Sequence, residues 1–425
     1  MAVPETHGAI EAVWRIESAK LIASLTRMVG SLELAEELAQ DALVAALERW
    51  PESGVPRNAG AWLMAIARRR AIDHWRRKER LANKLDELGR ELEIESDNTS
   101  AEFDATFENE IGDDLLRLVF IACHPVLSRA ARVALTLRVL GGLKTDEIAR
   151  AFLVSEATIG QRIVRAKRTL AEAQVPFEVP QGPELAERLS SVLEVVYLIF
   201  NEGYSATAGD DWTRPQLCQE ALRLVRILAG LLPKEAEVHG LASLLEIQAS
   251  RLAARLGPAG EPVLLLDQDR GRWDHMLIQR GLRALQRAEE LGGGLGPYGL
   301  QAAIAACHAR ARTPGETDWV RIVALYDGLA QLAPSPVVEL NRAVAVGMAF
   351  GPSAGLELVD GLVGEASLQG YYLLPSVRGD LLAKLGRLAE AQAEFERAAS
   401  LTRNGRERTL LLRRAAACSR GSAAK

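Results

Sequence analysis

Three features of the sequence predict an all-α chain. Ala, Leu, Arg and Glu abound, while aromatic residues make up only 5 % of the 425 residues, which is the composition of helices rather than strands. Alternating runs of Val, Ile and Thr are rare. Apolar residues instead recur at three- and four-residue steps along most of the chain. The expected architecture is two small helical modules, the second ending in a helix-turn-helix, followed by a long helical-repeat domain. The length exceeds what one core holds, so two or three domains are expected. A content of 48 % apolar and 25 % charged residues describes an ordinary globular protein. The net charge of −5 hides strong local asymmetry, so it does not argue against a nucleic-acid partner.

The first module begins with an amphipathic helical pattern over residues 10–50, broken at Gly30-Ser31 and restarted by Ser31. Leu34, Leu38, Ala42, Ala45 and Ala46 carry its apolar stripe. A loop rich in Pro, Gly, Ser and Asn covers residues 51–60. A third helix is predicted from Ala61 to about Arg80. Its first half is apolar (Trp62, Leu63, Ile66), and its second half holds Arg68, Arg69, Arg70, Arg76, Arg77, Lys78 and Arg80 against Asp73 and Glu79. Such one-signed charge fits a polyanion, and His74-Trp75 inside it suits contact with exposed bases. The alternative is a Trp75 packed into the core beneath a solvated charge stripe.

Residues 85–114 reverse the sign: twelve acids face the single cation Arg90. A flexible acidic linker is expected at 85–113, separating a module at 1–84 from one at 114–176. The second module ends in the most informative stretch of the chain, residues 144–170. Thr145 is expected to cap a short helix burying Ile148, Ala149 and Phe152. A turn follows near Leu153-Val154, and Ser155 caps a second helix. Ile159, Ile163, Ala166 and Leu170 form its inner face. Thr158, Gln161, Arg162, Arg165 and Arg168 lie largely opposite, with no acid between Ala157 and Ala171. A capped helix of this kind suits the major groove, its first turns meeting base edges and its arginines phosphates.

Pro176, Pro180 and Pro183 mark the next boundary, and residues 177–425 read as helix after helix. Gly379, Leu382, Gly386, Leu388, Ala391, Phe395 and Ala398 match the small-and-large pattern of a tetratricopeptide helix pair. Segments around Ile322, Tyr326, Leu329 and Pro334, and around Ala354 and Leu358, match more loosely. Stacked pairs of this kind usually offer a concave surface to a protein or peptide.

Other chemistries find little support. Cys123, Cys218, Cys307 and Cys418 form no CxxC pair, so buried idle thiols are expected, with no metal site and no cofactor. Asp267–Gly271 resembles the start of a calcium loop but has Arg272 and Ile278 where the sixth-position Gly and twelfth-position acid belong. Gly292–Gly296 follows a helix and lacks the Lys-Ser/Thr of a phosphate loop. No catalytic set was found, so an enzyme is not expected. Asn201–Tyr204 is read as a helix stop at Gly203, with a ligand contact as the alternative. No signal pattern or 20-residue apolar span occurs, so a soluble cytoplasmic protein without membrane contact is expected.

Three motifs in order resemble the extracytoplasmic-function (ECF) class of bacterial RNA polymerase sigma factors. Residues 36–50 resemble its core-binding helix, residues 61–77 its promoter −10 helix and residues 154–168 its −35 recognition helix. The resemblance covers about residues 10–175. The long helical remainder is similar to the subgroup with a tetratricopeptide-like extension, as are segments 201–204, 264–274 and 336–346. One departure is Arg69, where the family often has Asn. The resemblance implies core RNA polymerase and promoter DNA as partners. Ser155, Glu156, Thr158, Gln161, Arg162, Arg165 and Arg168 would engage the −35 duplex. Arg57, Asn58, Arg68, Arg69, Asp73, His74, Arg76 and Arg77 would hold the opening −10 strand. Leu38, Asp41, Glu48 and Trp50 would face the polymerase. The extension is expected to modulate activity, through an unidentified protein or peptide partner or by folding back. Two rivals are a one-component helix-turn-helix regulator with a tetratricopeptide-like sensor, which leaves the basic helix unexplained, and a tetratricopeptide scaffold without DNA affinity.

Overall fold

The computed structural model describes residues 3–86, 105–258 and 260–423, with side chains over 6–76, 112–258 and 260–420. It divides into two compact units, residues 1–195 and 196–425. The protein is all-α, as its composition and periodicity predict. Among the described residues only two short strands interrupt the helices.

Unit 1 opens with α1 (Val3–Val29), α2 (Leu32–Ser53) and α3 (Ala59–Asp86). Gly30 takes a left-handed φ of 68° between the first two, and Ser31 caps α2 by accepting the Leu34 amide at 3.3 Å. The core holds Ile10, Leu21, Leu25, Ala42, Trp50 and Leu63, all nearly inaccessible. Trp50 meets Trp62 edge-on, with centroids 5.2 Å apart. Asn58 Oδ1 accepts the Ala61 amide at 3.0 Å and so caps α3.

The second half of unit 1 contains α4 (Ala105–Ala122), α5 (Arg129–Val139), α6 (Thr145–Phe152) and α7 (Glu156–Glu172). Residues 87–104 of the expected linker lie outside the described residues. The expected linker ends too late, because α4 already begins at Ala105. Phe107, Ile111, Leu115 and Leu118 recur at helical steps there, and that periodicity outweighs the acidity. Helix α8 (Pro183–Tyr204) contributes its first half to this unit. Ser191 Oγ donates to the Cys123 carbonyl at 2.6 Å and Arg188 to the Phe120 carbonyl at 3.2 Å. Both satisfy carbonyls that the end of α4 leaves without intrahelical donors. Glu194 pairs with Arg129 at 2.7 Å and Arg132 at 3.2 Å. The proline-rich segment at 176–183 therefore lies inside unit 1.

Unit 2 continues with α9 (Pro215–Leu231), α10 (Ala236–Ala249), α11 (His275–Glu290), α12 (Pro297–Arg310), α13 (Trp319–Leu332), α14 (Pro336–Phe350), α15 (Pro352–Leu362), α16 (Leu373–Lys384), α17 (Leu388–Leu401) and α18 (Gly405–Ala423). From α12 onward each helix packs on the next. The pair α16–α17 is the one that the repeat pattern predicts. A Cβ on Gly379 would lie 3.0 Å from the Phe395 ring, so a larger residue there would push the two helices or the ring apart by a few tenths of an ångström.

Unit 2 also closes on itself, which helical periodicity does not announce. Strand β1 (Ala208–Gly209) pairs in parallel with β2 (Arg403–Asn404). The buried Asn404 donates to the carbonyls of Ala206 at 3.1 Å and Asp211 at 2.9 Å. Glu407 accepts from Trp212 Nε1 at 3.3 Å and Tyr372 Oη at 2.5 Å.

Candidate nucleic-acid interface

The helix-turn-helix is built largely as its sequence requires. Leu153 turns the chain with a left-handed φ of 50°. Ser155 Oγ accepts the Thr158 amide at 3.1 Å, a cap that stabilises a helix by about 1 kcal/mol. Ile159, Ile163, Ala166 and Leu170 are buried. Two local expectations are corrected: Phe152 is only partly buried, at the end of α6, and Thr145 does not cap α6 but is its first residue, after Lys144. The Glu147 carboxylate accepts the Lys144 amide at 2.8 Å instead. A carboxylate three residues into the helix competes well for that orphan donor.

Ser155, Glu156, Thr158, Gln161 and Arg165 are exposed, and Arg162 is half-buried. Thr158, Gln161, Arg162 and Arg165 line an open groove of about 470 Å³ with Val126, Leu127 and Ser128 from the α4–α5 connection. Arg168 is exposed but pairs with Glu172 at 2.7 Å. The acid that holds it lies just beyond the acid-free stretch.

On α3 the apolar first half is buried through Leu63, Met64, Ala67 and Ala71. Beyond that point the helix turns outward: Arg69, Asp73, His74 and Arg76 are exposed. Trp75 is 48 % exposed and Ile72 50 %, which rejects the reading of Trp75 as a core residue. Arg68 is partly buried, Arg57 and Asn58 are exposed, and Asn58 is engaged as the α3 cap. The side chain of Arg77 lies outside the described residues. The protein thus offers two cationic surfaces: a helix N-terminus suited to a groove, and a helix bearing an open indole among arginines.

Comparison with known proteins decides what carries these surfaces. Residues 16–81 match sigma-70 region 2, and residues 117–170 match sigma-70 region 4. Residues 188–289 match a family of unknown function (DUF6596). An uncharacterized protein of Rhizobium meliloti (strain 1021) is 45 % identical over 387 residues, covering 91 % of this chain and 90 % of its own. A protein of Mycobacterium tuberculosis described as probable ECF RNA polymerase sigma factor SigI is 25 % identical over 173 residues, 41 % of this chain and 58 % of its own length. The chain is an ECF sigma-70 factor with a helical C-terminal extension.

This sigma factor is accordingly a DNA-binding transcription-initiation factor, and its family is not enzymatic. Among the described residues no group of His, Cys, Asp and Glu is placed to hold a metal, and no helix is long and apolar enough to cross a membrane. All four cysteines are buried, and burial pushes the Cys123 thiol up to about 11.

Two residues expected to face polymerase do not reach the surface. Leu38 is 5 % and Trp50 1 % exposed, because both continue the inner stripe of α2. Asp41 is partly exposed and pairs with Arg70 at 2.7 Å, and Glu48 is exposed. The apolar residues that α2 does present are Val44, 47 % exposed, and Leu47, 37 %. They fall off the buried stripe, and that was their available signal.

A buried acid ties the two sigma regions together. Glu36 on α2 is 6 % exposed and meets Arg138 of α5 at 2.7 Å and Lys167 of α7. Burial alone would raise its pKa, but the two cations outweigh burial and hold it below the usual carboxylate range. The Lys167 face of α7 is therefore anchored against α2, while Gln161 and Arg165 line the groove.

Proposed function

We propose that this sigma factor binds core RNA polymerase and directs it to a specific set of promoters, with the extension modulating its activity. In this reading Ser155, Glu156, Thr158, Gln161, Arg162 and Arg165 engage the −35 duplex. Arg57, Arg68, Arg69, Asp73, His74, Arg76 and Arg77 hold the −10 strand, with Asn58 setting the start of α3. Polymerase contacts α2 through Val44, Leu47 and Glu48. The observation that carries the reading is the open indole of Trp75 within the basic end of α3. A factor that only docks on duplex DNA has no use for it, whereas capturing an unpaired base rewards a stacking platform.

Run-off transcription with purified core polymerase on a promoter library is the test. New start sites sharing −35 and −10 elements are expected, and they should depend on Gln161, Arg165 and Trp75. If core is never redirected while the protein still binds specific duplex DNA, the one-component regulator replaces this reading.

A further inference from the structure

Unit 2 contains a cavity of about 270 Å³, just below the usual range of drug-sized ligand pockets and so sized for a small ligand. Three segments far apart in sequence meet there: Asn201 and Tyr204 at the end of α8, Leu265 in the α10–α11 connection, and Asn341 on α14. Helix α8 does not stop at Gly203, as its sequence predicts, but runs on to Tyr204. Tyr204 is thereby the last helical residue, and it lines the cavity.

The electrostatics of this cavity are one-signed. Arg251 lines it and is 5 % exposed. Its guanidinium donates to Gln248 Oε1, while its Nε has no protein acceptor. No Asp or Glu lines the cavity, and among the described residues no carboxylate pairs with Arg251. Two of the other walls, His308 and Tyr326, are neutral near pH 7. Burial lowers His308 to about 4, helped by Arg251 and Arg270, and burial pushes the Tyr326 phenol up to about 12.

Two further guanidiniums stand behind the wall. Arg255 stacks 3.7 Å from the Tyr204 ring centroid. Arg270 shares the Trp273 ring with Arg251, at 4.9 and 5.8 Å from its centroid. Arg270 is held by the carbonyls of His308 and Ala311, each at 2.6 Å. All three keep a buried Nε without a partner, but of the three only Arg251 lines the cavity. A buried cation without a counter-charge is costly to a fold, and an anion that completes it removes that cost.

We propose that this cavity is a binding site for a small organic anion. Arg251 takes its carboxylate or phosphate head, Asn201 and Asn341 orient it, and Tyr204 and Tyr326 flank its body. The site is one that lets a metabolite act on the extension of a sigma factor. It stands on the geometry of unit 2 alone, so its test needs no polymerase.

The test measures binding of orthophosphate and of benzoate to the full chain by equilibrium dialysis and thermal shift, against sodium chloride at matched ionic strength. Saturable binding of either anion at one site per chain, with a rise in Tm, is expected; which head binds assigns the ligand class. Arg251→Met should weaken binding by about tenfold or more and leave the unliganded Tm unchanged or raised. Should that variant fail to fold, Asn341→Ala supplies the same test through a neutral wall, with a loss of about threefold or more. Equal binding by a folded variant, or no binding of either anion beyond the chloride control, overturns the proposal. So does preferential binding of acetylated peptides with a free C-terminus, which would make the cavity a peptide site.

Discussion

Gln161 and Arg165 sit one turn apart on α7, exposed and unburdened by any acid nearby in sequence, and their different chemistry predicts different losses. Gln161 carries a bidentate amide, so Gln161→Ala should relax specificity at one −35 base pair, by about 1–3 kcal/mol of discrimination. Arg165→Ala should weaken binding to all sequences alike and lower the salt slope by about one charge. Fluorescence anisotropy across a salt series and a set of single-base variants separates the two. Trp75→Ala should leave Tm nearly unchanged, since half of the residue is already in water. It should cost about 1–3 kcal/mol in binding of a −10 single strand, and permanganate footprinting should show fewer opened promoters. These residues were legible in sequence because each is local: spacing, sign and cap lie within one helix. Trp50 was equally legible and was misplaced. It continues the four-residue steps of Leu38, Ala42 and Ala46, so periodicity puts it inside, as observed. The resemblance had assigned it to polymerase against that pattern.

At the scale of elements, the Glu36 contact gives a pH dependence with a definite sign. A carboxylate whose folded pKa is depressed contributes stability above its unfolded value, near 4.5. That contribution fades as pH falls through the lowered folded value. Urea unfolding followed across this window should show a slope that Glu36→Gln flattens. At neutral pH Glu36→Ala leaves two poorly exposed cations unpaired and should destabilise unit 1 by about 3 kcal/mol. An unchanged urea midpoint would remove this contact from the account. No sequence pattern signals the pair: Glu36 and Lys167 are far apart in the chain, and each reads locally as an ordinary charged helix position. The same reason hid Arg129 and Arg132 with Glu194, and Ser191 with the end of α4. Helices were readable from residue spacing, but what each leans on was not.

For the molecule as a whole, the contacts of α8 determine where it can be cut. A fragment ending at Gln181 loses Arg188, Ser191 and Glu194, and it strands the buried Arg132. A fragment ending at Tyr204 keeps them. The longer fragment should unfold cooperatively in urea, and the shorter one should melt earlier or aggregate. Equal midpoints for the two would show that the first half of α8 adds nothing to unit 1. Transcription assays on the extension's role should therefore use the longer fragment. The pairing of β1 with β2 has a further consequence, in time. Residues 208–209 cannot find residues 403–404 until the whole stretch between them has been made. Synthesis at about 5–20 residues per second puts roughly 10–40 s between completion of residue 195 and that of residue 404. On a ribosome, the helices of the two sigma regions are finished while the seam of the extension is still being translated.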